Sequence, residues 1–312
     1  MTVDEKLVAH YNMVLDEFLE RVEKDSNIIA AILFGSLVNG NVWEESDIDL
    51  ILISKDATKQ FIDYWLVDGD ILIQVYIESR QYFRQSVERA LDSSHMFHLL
   101  STSKILFSKD ESLTRYIQNA VSIGQRDKQL QLMRSAMYLD GEFAKVRKSL
   151  QIYNDYIMAY RFLLNAIDSI ARLEIIFNDQ IPGREYLQQA LQINPELFKK
   201  VYTDILDEGV TRESVEMVNQ ILVDYTKEKT LDFFRPILDF LIDEGGHCGI
   251  SRIDAYFNKK LGMPQGNTLI GVCEWLANEG VIQRMPKPVH LTSRSREPEM
   301  EAAYYFSEDE LL

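Results

Sequence analysis

The chain has 312 residues, with 33 Lys plus Arg against 49 Asp plus Glu and a formal net charge of -16, a balance whose long-range field repels DNA, RNA and anionic lipid. Its 46% hydrophobic residues, 14 Gly and 7 Pro exclude a disordered or fibrous chain and, at this length, fit about two or three globular domains. Two cysteines, Cys248 and Cys273, are too few for a disulfide framework or a four-cysteine zinc site.

Leu7, Tyr11, Val14, Leu15, Phe18 and Val22 recur with helical period and predict an amphipathic helix from Asp4 to about Lys24. Ile28 to Phe34 is a short, dense apolar run stopped by Gly35, the pattern of a buried strand. Ile48 to Ile53 and Ile71 to Ile77 predict two more strands, the second introduced by the turn Asp68-Gly69-Asp70. Ser79 to Leu91 reads as a helix and Lys104 to Phe107 as a further strand, so residues 1–110 make a unit of helices on a mixed sheet. Between Ser112 and Thr230 glycine is sparse and stretches such as Asp155 to Phe177 keep a helical rhythm, predicting four or five helices in a bundle over 111–230. In 231–312, Phe234, Ile237, Leu238 and Leu241 form one helical stripe and Leu269, Val272, Cys273 and Leu276 another, ended by Gly280. Ser251 to Leu261 is a short helix between them, and Val281 to Phe306 reads as a two-stranded ribbon, which together give the order of a winged helix-turn-helix. The fold class is α+β: an N-terminal α/β domain, a central helical bundle and a winged-helix-like end.

The chemistry concentrates in residues 34–50, Phe-Gly-Ser-Leu-Val-Asn-Gly-Asn-Val-Trp-Glu-Glu-Ser-Asp-Ile-Asp-Leu. Gly35 ends a buried strand, where the absence of a Cβ lets the backbone turn sharply and approach a phosphate, and Ser36 offers a hydroxyl and an amide hydrogen there. Asp47 and Asp49 are two apart on the next strand, so both leave one face while Ile48 and Leu50 enter the core on the other. Their carboxylates then lie roughly 6 to 7 Å apart along the strand. Paired hard oxygen ligands of this kind repel each other until a cation such as Mg2+, shared with substrate phosphates, lies between them.

Gly35-Ser36, Gly40, and Asp47 with Asp49 resemble the signature of the polymerase-β-type nucleotidyltransferase superfamily, and the helix-rich region that follows is similar to kanamycin- and lincosamide-type antibiotic nucleotidyltransferases. The resemblance implies that Gly35 and Ser36 hold a nucleoside triphosphate and that Asp47 and Asp49 are catalytic and bind Mg2+ (or Mn2+). An acceptor hydroxyl would then attack the α-phosphorus and release pyrophosphate. One position departs from the pattern. Such enzymes take a third carboxylate from the middle of the next strand, where this chain has Gln74, a neutral amide that cannot act as base. Asp70 and Glu78 share its strand parity but fall at the ends, while Glu142, Asp155, Asp168 and Glu174 of the helical region are candidates to activate the acceptor.

Other features read as structural. His95 and His98 share one helical face without a further ligand, and His10, His247 and His290 are isolated, so no zinc site is assigned. Tyr153, Tyr156, Tyr160 and Phe162 fit either a core or the wall of an acceptor pocket, and Lys145, Arg147 and Lys148 a solvated face. Residues 231–300 carry eight basic and nine acidic side chains, and the third helix of the winged pattern has Glu274 and Glu279 without Lys or Arg. Nucleic acid is therefore disfavoured as a partner, despite Arg284, Lys287, Arg294 and Arg296 in the wing, and docking or homodimerisation is the preferred role.

The expected activity is Mg2+-dependent transfer of a nucleoside monophosphate from a nucleoside triphosphate to a hydroxyl of a small molecule or protein. The rival expectation, raised by Gln74, is a catalytically degenerate nucleotide-binding regulator or antitoxin-like protein with a winged-helix output. No apolar run approaches the roughly 20 residues a bilayer requires and no secretory signal opens the chain, which leads to the expectation of a soluble cytoplasmic protein without a membrane partner.

Overall fold

In the computed structural model residues 5–55, 61–90, 102–120, 125–183, 185–261, 269–292 and 294–307 are described, and the chain divides into two compact units, Met1–Ile123 and Gly124–Leu312. His95 and His98 lie outside the described residues.

The first unit opens with helix α1 (Glu5–Glu23), followed by strands β1 (Ile28–Phe34), β2 (Ile48–Ser54), β3 (Phe61–Asp68) and β4 (Ile71–Ser79), helix α2 (Arg80–Ala90), strand β5 (Lys104–Ser108) and helix α3 (Glu111–Ala120). The five strands form one mixed sheet in the order β3-β4-β2-β1-β5. β1 pairs antiparallel with β2 and β5, β2 runs parallel to β4, and β3 closes the edge antiparallel to β4. All seven residues of β1 are buried, because both faces of the sheet are covered. Tyr11, Val14, Leu15 and Phe18 of α1 pack on Leu33, Ile48, Leu50, Leu52, Ile73 and Val75. On the opposite face Ala30, Ile32, Phe34, Ile51 and Ile53 meet Phe83 and Val87 of α2 and Leu113 and Ile117 of α3. Full burial of such side chains contributes about 1.5–3 kcal/mol each, which is why these runs are apolar at every position rather than at alternate ones. α3 thus belongs to the sheet's own core, and the helical unit begins after it.

β3 is a strand that the apolar runs do not announce. Phe61, Tyr64, Trp65 and Val67 are exposed, so its aromatic and β-branched residues support a half-covered edge and not a buried run. The turn Asp68-Gly69-Asp70, with Gly69 at φ 62°, joins it to β4 as a hairpin.

The second unit contains α4 (Gln125–Ala136), α5 (Leu139–Gln151), α6 (Tyr156–Phe177), α7 (Tyr186–Ile193) and α8 (Arg212–Glu228), with short helical turns at 195–198, 204–208 and 230–233. With α3, residues 111–230 hold six described helices of eight residues or more instead of four or five, because α4 and α5 are parted at Met137 and Tyr138. There follow α9 (Arg235–Glu244), β6 (Cys248–Gly249), α10 (Ile250–Leu261), α11 (Ile270–Asn278), β7 (Gln283–Val289) and β8 (Glu299–Tyr305). The expected ribbon β7–β8 gains a third strand, since Cys248 and Gly249 pair with Tyr304 and Ala303, and the sheet order is β6-β8-β7. One apolar cluster runs through this unit from Leu132 on α4 to Tyr304 and Phe306. Among the described residues no helix is long and apolar enough to cross a membrane.

Candidate active site

β1 ends at Phe34, and Gly35 turns the chain with φ 79° into a one-turn helix over Ser36–Asn39. That turn is closed by the Gly40 amide donating to the Leu37 carbonyl (3.1 Å) and the Asn41 amide donating to the Ser36 carbonyl (2.9 Å). Phe34 stands directly opposite Asp49 in the antiparallel register, which brings the bend and the acid together. A Cβ built at Gly35 would overlap Asp49 Oδ2, closer than real Cβ atoms come, and would lie 3.0 Å from its carboxyl carbon, so the carboxylate keeps this position only against a glycine.

Asp47 immediately precedes β2, which begins at Ile48. The loop before it is pinned by α1: the Tyr11 hydroxyl donates to the Ser46 carbonyl (2.8 Å), the Trp43 amide donates to Ser46 Oγ (3.0 Å), and the Ser46 amide returns to the Trp43 carbonyl (2.9 Å). Asp47 and Asp49 are both half-buried, and among the described residues no cation pairs with Asp47. Ile48 and Leu50 are fully buried in the α1-side core, so Asp49 between them projects from the other face.

Two tyrosines record the charge of this region. Burial first, and then Asp63, Asp49 and Asp47, push the Tyr76 hydroxyl above its usual range. Burial, Asp70 and Asp47 do the same to Tyr11. Tyr76 is held between Phe34 and Phe61, with ring centroids 5.9 and 5.7 Å away. Three aspartates, 47, 49 and 63, therefore act electrostatically on one hydroxyl on the face of the sheet that carries Asp49.

Gln74 is the parallel neighbour of Asp49 and lies opposite Trp65. Its amide nitrogen donates to Asp63 Oδ1 at 3.5 Å. Asp63 sits on β3 and was outside the sequence-based candidates, because reaching it requires the β3–β4 pairing; the dense aromatic run before an Asp-Gly turn was the signal available for it. The strand-end acids lie elsewhere. Glu78 is buried opposite Ile53 and Phe61, four residues past Gln74. Asp70 is bonded to His10 Nε2 at 2.9 Å, and that bond chiefly holds its carboxyl below the usual range.

The acids named in the helical region belong to the second unit and have structural partners. Asp155 caps α6 by accepting from the Met158 amide (2.8 Å), and Glu142 pairs with Lys145 (2.7 Å) and accepts from Asn165 (3.2 Å). Glu174 is buried and accepts from Tyr225, Asn178 and Asn194. Burial raises Asp168, against the pull of Tyr186 and Arg172 beside it. Tyr153 and Tyr156 are exposed, whereas Tyr160 and Phe162 pack against the unit's core.

The donor set at the bend is two carboxylates, and among the described residues no group of three or more His, Cys, Asp or Glu is arranged to hold a metal. Two hard oxygens beside a glycine bend suit Mg2+, which keeps several waters and completes its octahedron with substrate phosphates. They do not suit a metal caged wholly by protein.

Residues 17–112 match the family model described as "Polymerase beta, Nucleotidyltransferase", which is a similarity of the sheet unit to that superfamily. Among curated proteins, it is 29% identical over 139 residues to "Putative protein adenylyltransferase MJ1305" of Methanocaldococcus jannaschii, an alignment covering 40% of this chain and 89% of that one. The fold is similar to that of a nucleotidyltransferase-like protein from Exiguobacterium sibiricum, with a TM-score of 0.65 and 14% identity over 95% of this chain and 99% of that one. A spectinomycin adenyltransferase from Enterococcus faecialis, solved with ATP and spectinomycin, aligns at a TM-score of 0.32 and 13% identity over 69% of this chain and 98% of that one, too low a similarity to bear on the fold.

Proposed function

We propose that the protein is a Mg2+-dependent nucleotidyltransferase that moves a nucleoside monophosphate from a nucleoside triphosphate to a hydroxyl of its acceptor, releasing pyrophosphate. The observation that carries this reading is the Asp49 carboxylate seated against Gly35, with Asp47 two residues before it. Ser36, at the start of the turn, donates its hydroxyl and amide to the triphosphate. Asp47 and Asp49 hold the metal. When bound, Mg2+ neutralises charge on the α-phosphate and on the departing pyrophosphate. The acceptor oxygen forms its bond to the α-phosphorus as the bond to the bridging oxygen of pyrophosphate breaks, and the hydroxyl proton passes to a carboxylate. Asp63, within hydrogen-bond reach of Gln74, is the carboxylate we assign to that proton in place of the one that Gln74 does not supply. The archaeal relative's name, a putative protein adenylyltransferase, supports an adenylyl group as the group moved and a protein as acceptor.

We read the chain as three working parts: the sheet unit with the nucleotide site, the helices α4 to α8 as acceptor-shaping region, and residues 231–312 as a winged-helix-like docking module. In the last, Glu274 on α11 accepts from Arg284 (2.7 Å) and Tyr304 (2.6 Å), so a wing arginine is already neutralised, which supports docking over nucleic-acid contact. Two buried free thiols, Cys248 and Cys273, are compatible with a cytoplasmic setting.

Gln74 supports a second reading, a nucleotide-binding regulator without turnover. ATP labelled at the α-phosphate separates the two. Transfer of label to an acceptor with release of pyrophosphate, both lost in Asp47→Asn, is the expected outcome. Binding without transfer over a broad acceptor panel selects the regulator, and pyrophosphate release unchanged in Asp47→Asn contradicts the assignment of the site.

A further inference from the structure

Between helices α2 and α3 lies a half-open cavity of about 410 Å³ lined by Arg80, Arg84, Ser112, Leu113, Arg115 and Tyr116. Three guanidinium groups around one cavity are unexpected in a chain of net charge -16. Arg80 and Arg84 are four residues apart and share a face of α2, while Arg115 reaches the cavity from α3.

Each arginine is placed differently. Arg80 is a strut: it pairs with Asp110 (2.8 Å) and donates to Ser112 Oγ (2.7 Å). Asp110 is itself fixed, accepting from the Ser112 amide (2.9 Å) and hydroxyl (2.7 Å). Among the described residues Arg115 pairs only with Glu111, four residues earlier, at 3.1 Å, and the two side chains are 74% and 90% exposed. A pair so exposed contributes at most about 1 kcal/mol, so an incoming anion can displace the glutamate. Arg84 meets no carboxylate among the described residues. Its guanidinium lies 4.9 Å over the Tyr116 ring, and the ring is tethered by its hydroxyl donating to the Arg84 carbonyl (3.1 Å). A guanidinium held over an aromatic ring keeps its planar fork of donors available for bidentate phosphate oxygens.

From this arrangement we infer that the cavity binds a polyphosphate group, the di- or triphosphate of a small molecule, at a site separate from the aspartate pair. Arg84, without a carboxylate partner among the described residues, and Arg115, whose glutamate is displaceable, provide the charge, Arg80 fixes the rim, and the volume admits more than a single phosphate. Separation follows from the sheet register. Gln74 neighbours Asp49, whereas Ser79 neighbours Ser54; Ser79, which Arg80 follows, is five strand residues and roughly 17 Å along the strand from Gln74. The inference does not depend on transferase activity.

The test is calorimetric titration of the full chain in EDTA, so that no metal bridges phosphate to Asp47 and Asp49, with inorganic pyrophosphate, ATP and adenosine as probes. Pyrophosphate and ATP should bind and adenosine should not. Affinity for pyrophosphate should fall about tenfold or more in the double variant Arg84→Gln, Arg115→Gln, and should hold in Asp49→Asn. Tighter binding of ATP than of pyrophosphate identifies a nucleotide ligand; equal binding identifies free polyphosphate. Both positions are exposed, and an unchanged thermal melt of the double variant checks that the fold persists; if it does not, Arg84→Lys, which keeps charge and loses the fork, is read instead. No binding of pyrophosphate at millimolar concentration, binding indifferent to these arginine variants, or binding lost equally in Asp49→Asn overturns the inference.

Discussion

Gly35 and Asp49 are packed so closely that no Cβ fits between them. Gly35→Ala would force a residue with a Cβ into φ 79° and push that Cβ to 3.0 Å from the Asp49 carboxyl carbon. We expect it to lower stability in urea by about 1–3 kcal/mol and to abolish nucleotide transfer; wild-type transfer by the variant would show that the Asp49 position is not needed. The glycine-serine bend and the two aspartates were legible because they are neighbours in sequence, and strand parity alone directs Asp49 away from Ile48 and Leu50. Asp63 was not, because its nearness to Gln74 exists only once β3 pairs with β4. In the second unit, burial raises the carboxyl of Asp140 above its usual range, partly countered by Arg147. A carboxyl raised on folding destabilises the protein while ionised, so this cost is full above the folded pKa and disappears below the unfolded value near 3.9. Asp140→Asn should therefore raise the melting temperature at pH 7 and lose that advantage as pH falls toward 4, as thermal melts across that range would show; a gain that grows with acid would be contrary.

At the scale of elements, what could be read depended on burial. α1, β1, β2 and β4 were visible as apolar patterns because each faces a packed layer. β3 was hidden because its Phe61, Tyr64, Trp65 and Val67 face solvent at the sheet edge, and β6 because two residues, Cys248 and Gly249, carry no periodicity. α6 shows how one buried acid ties elements together. Glu174 on α6 accepts from Tyr225 on α8, from Asn178 just past the end of α6, and from Asn194 just past α7. Burial, then the bond to Glu174, pushes the Tyr225 hydroxyl far up, so it remains a donor across the accessible pH range. Tyr225→Phe deletes that donor beside a buried acid and should cost about 1.5–3 kcal/mol, measured by urea denaturation of variant and wild type. A change within a few tenths would mean that the asparagines satisfy Glu174 on their own.

At the scale of the whole chain, a net charge of -16 makes a triphosphate an awkward ligand unless local features overcome the field. In the proposed site the bend at Gly35 would offer backbone amides and two acids that a divalent cation converts from repulsive to attractive, and the α2–α3 cavity offers arginines. The first must therefore depend on metal and the second must not. The second unit contributes its own core, and its helical stripes were readable in sequence while the identity of the acceptor was not, since pocket shape rather than motif sets it. The most direct measurement is calorimetric binding of a non-hydrolysable ATP analogue to the full chain with and without Mg2+, repeated in Asp47→Asn and Asp49→Asn. The expected result is a Mg2+-dependent component in the wild type that weakens about tenfold or more in each variant; an identical Mg2+-dependent component in wild type and both variants would contradict the assignment of these aspartates.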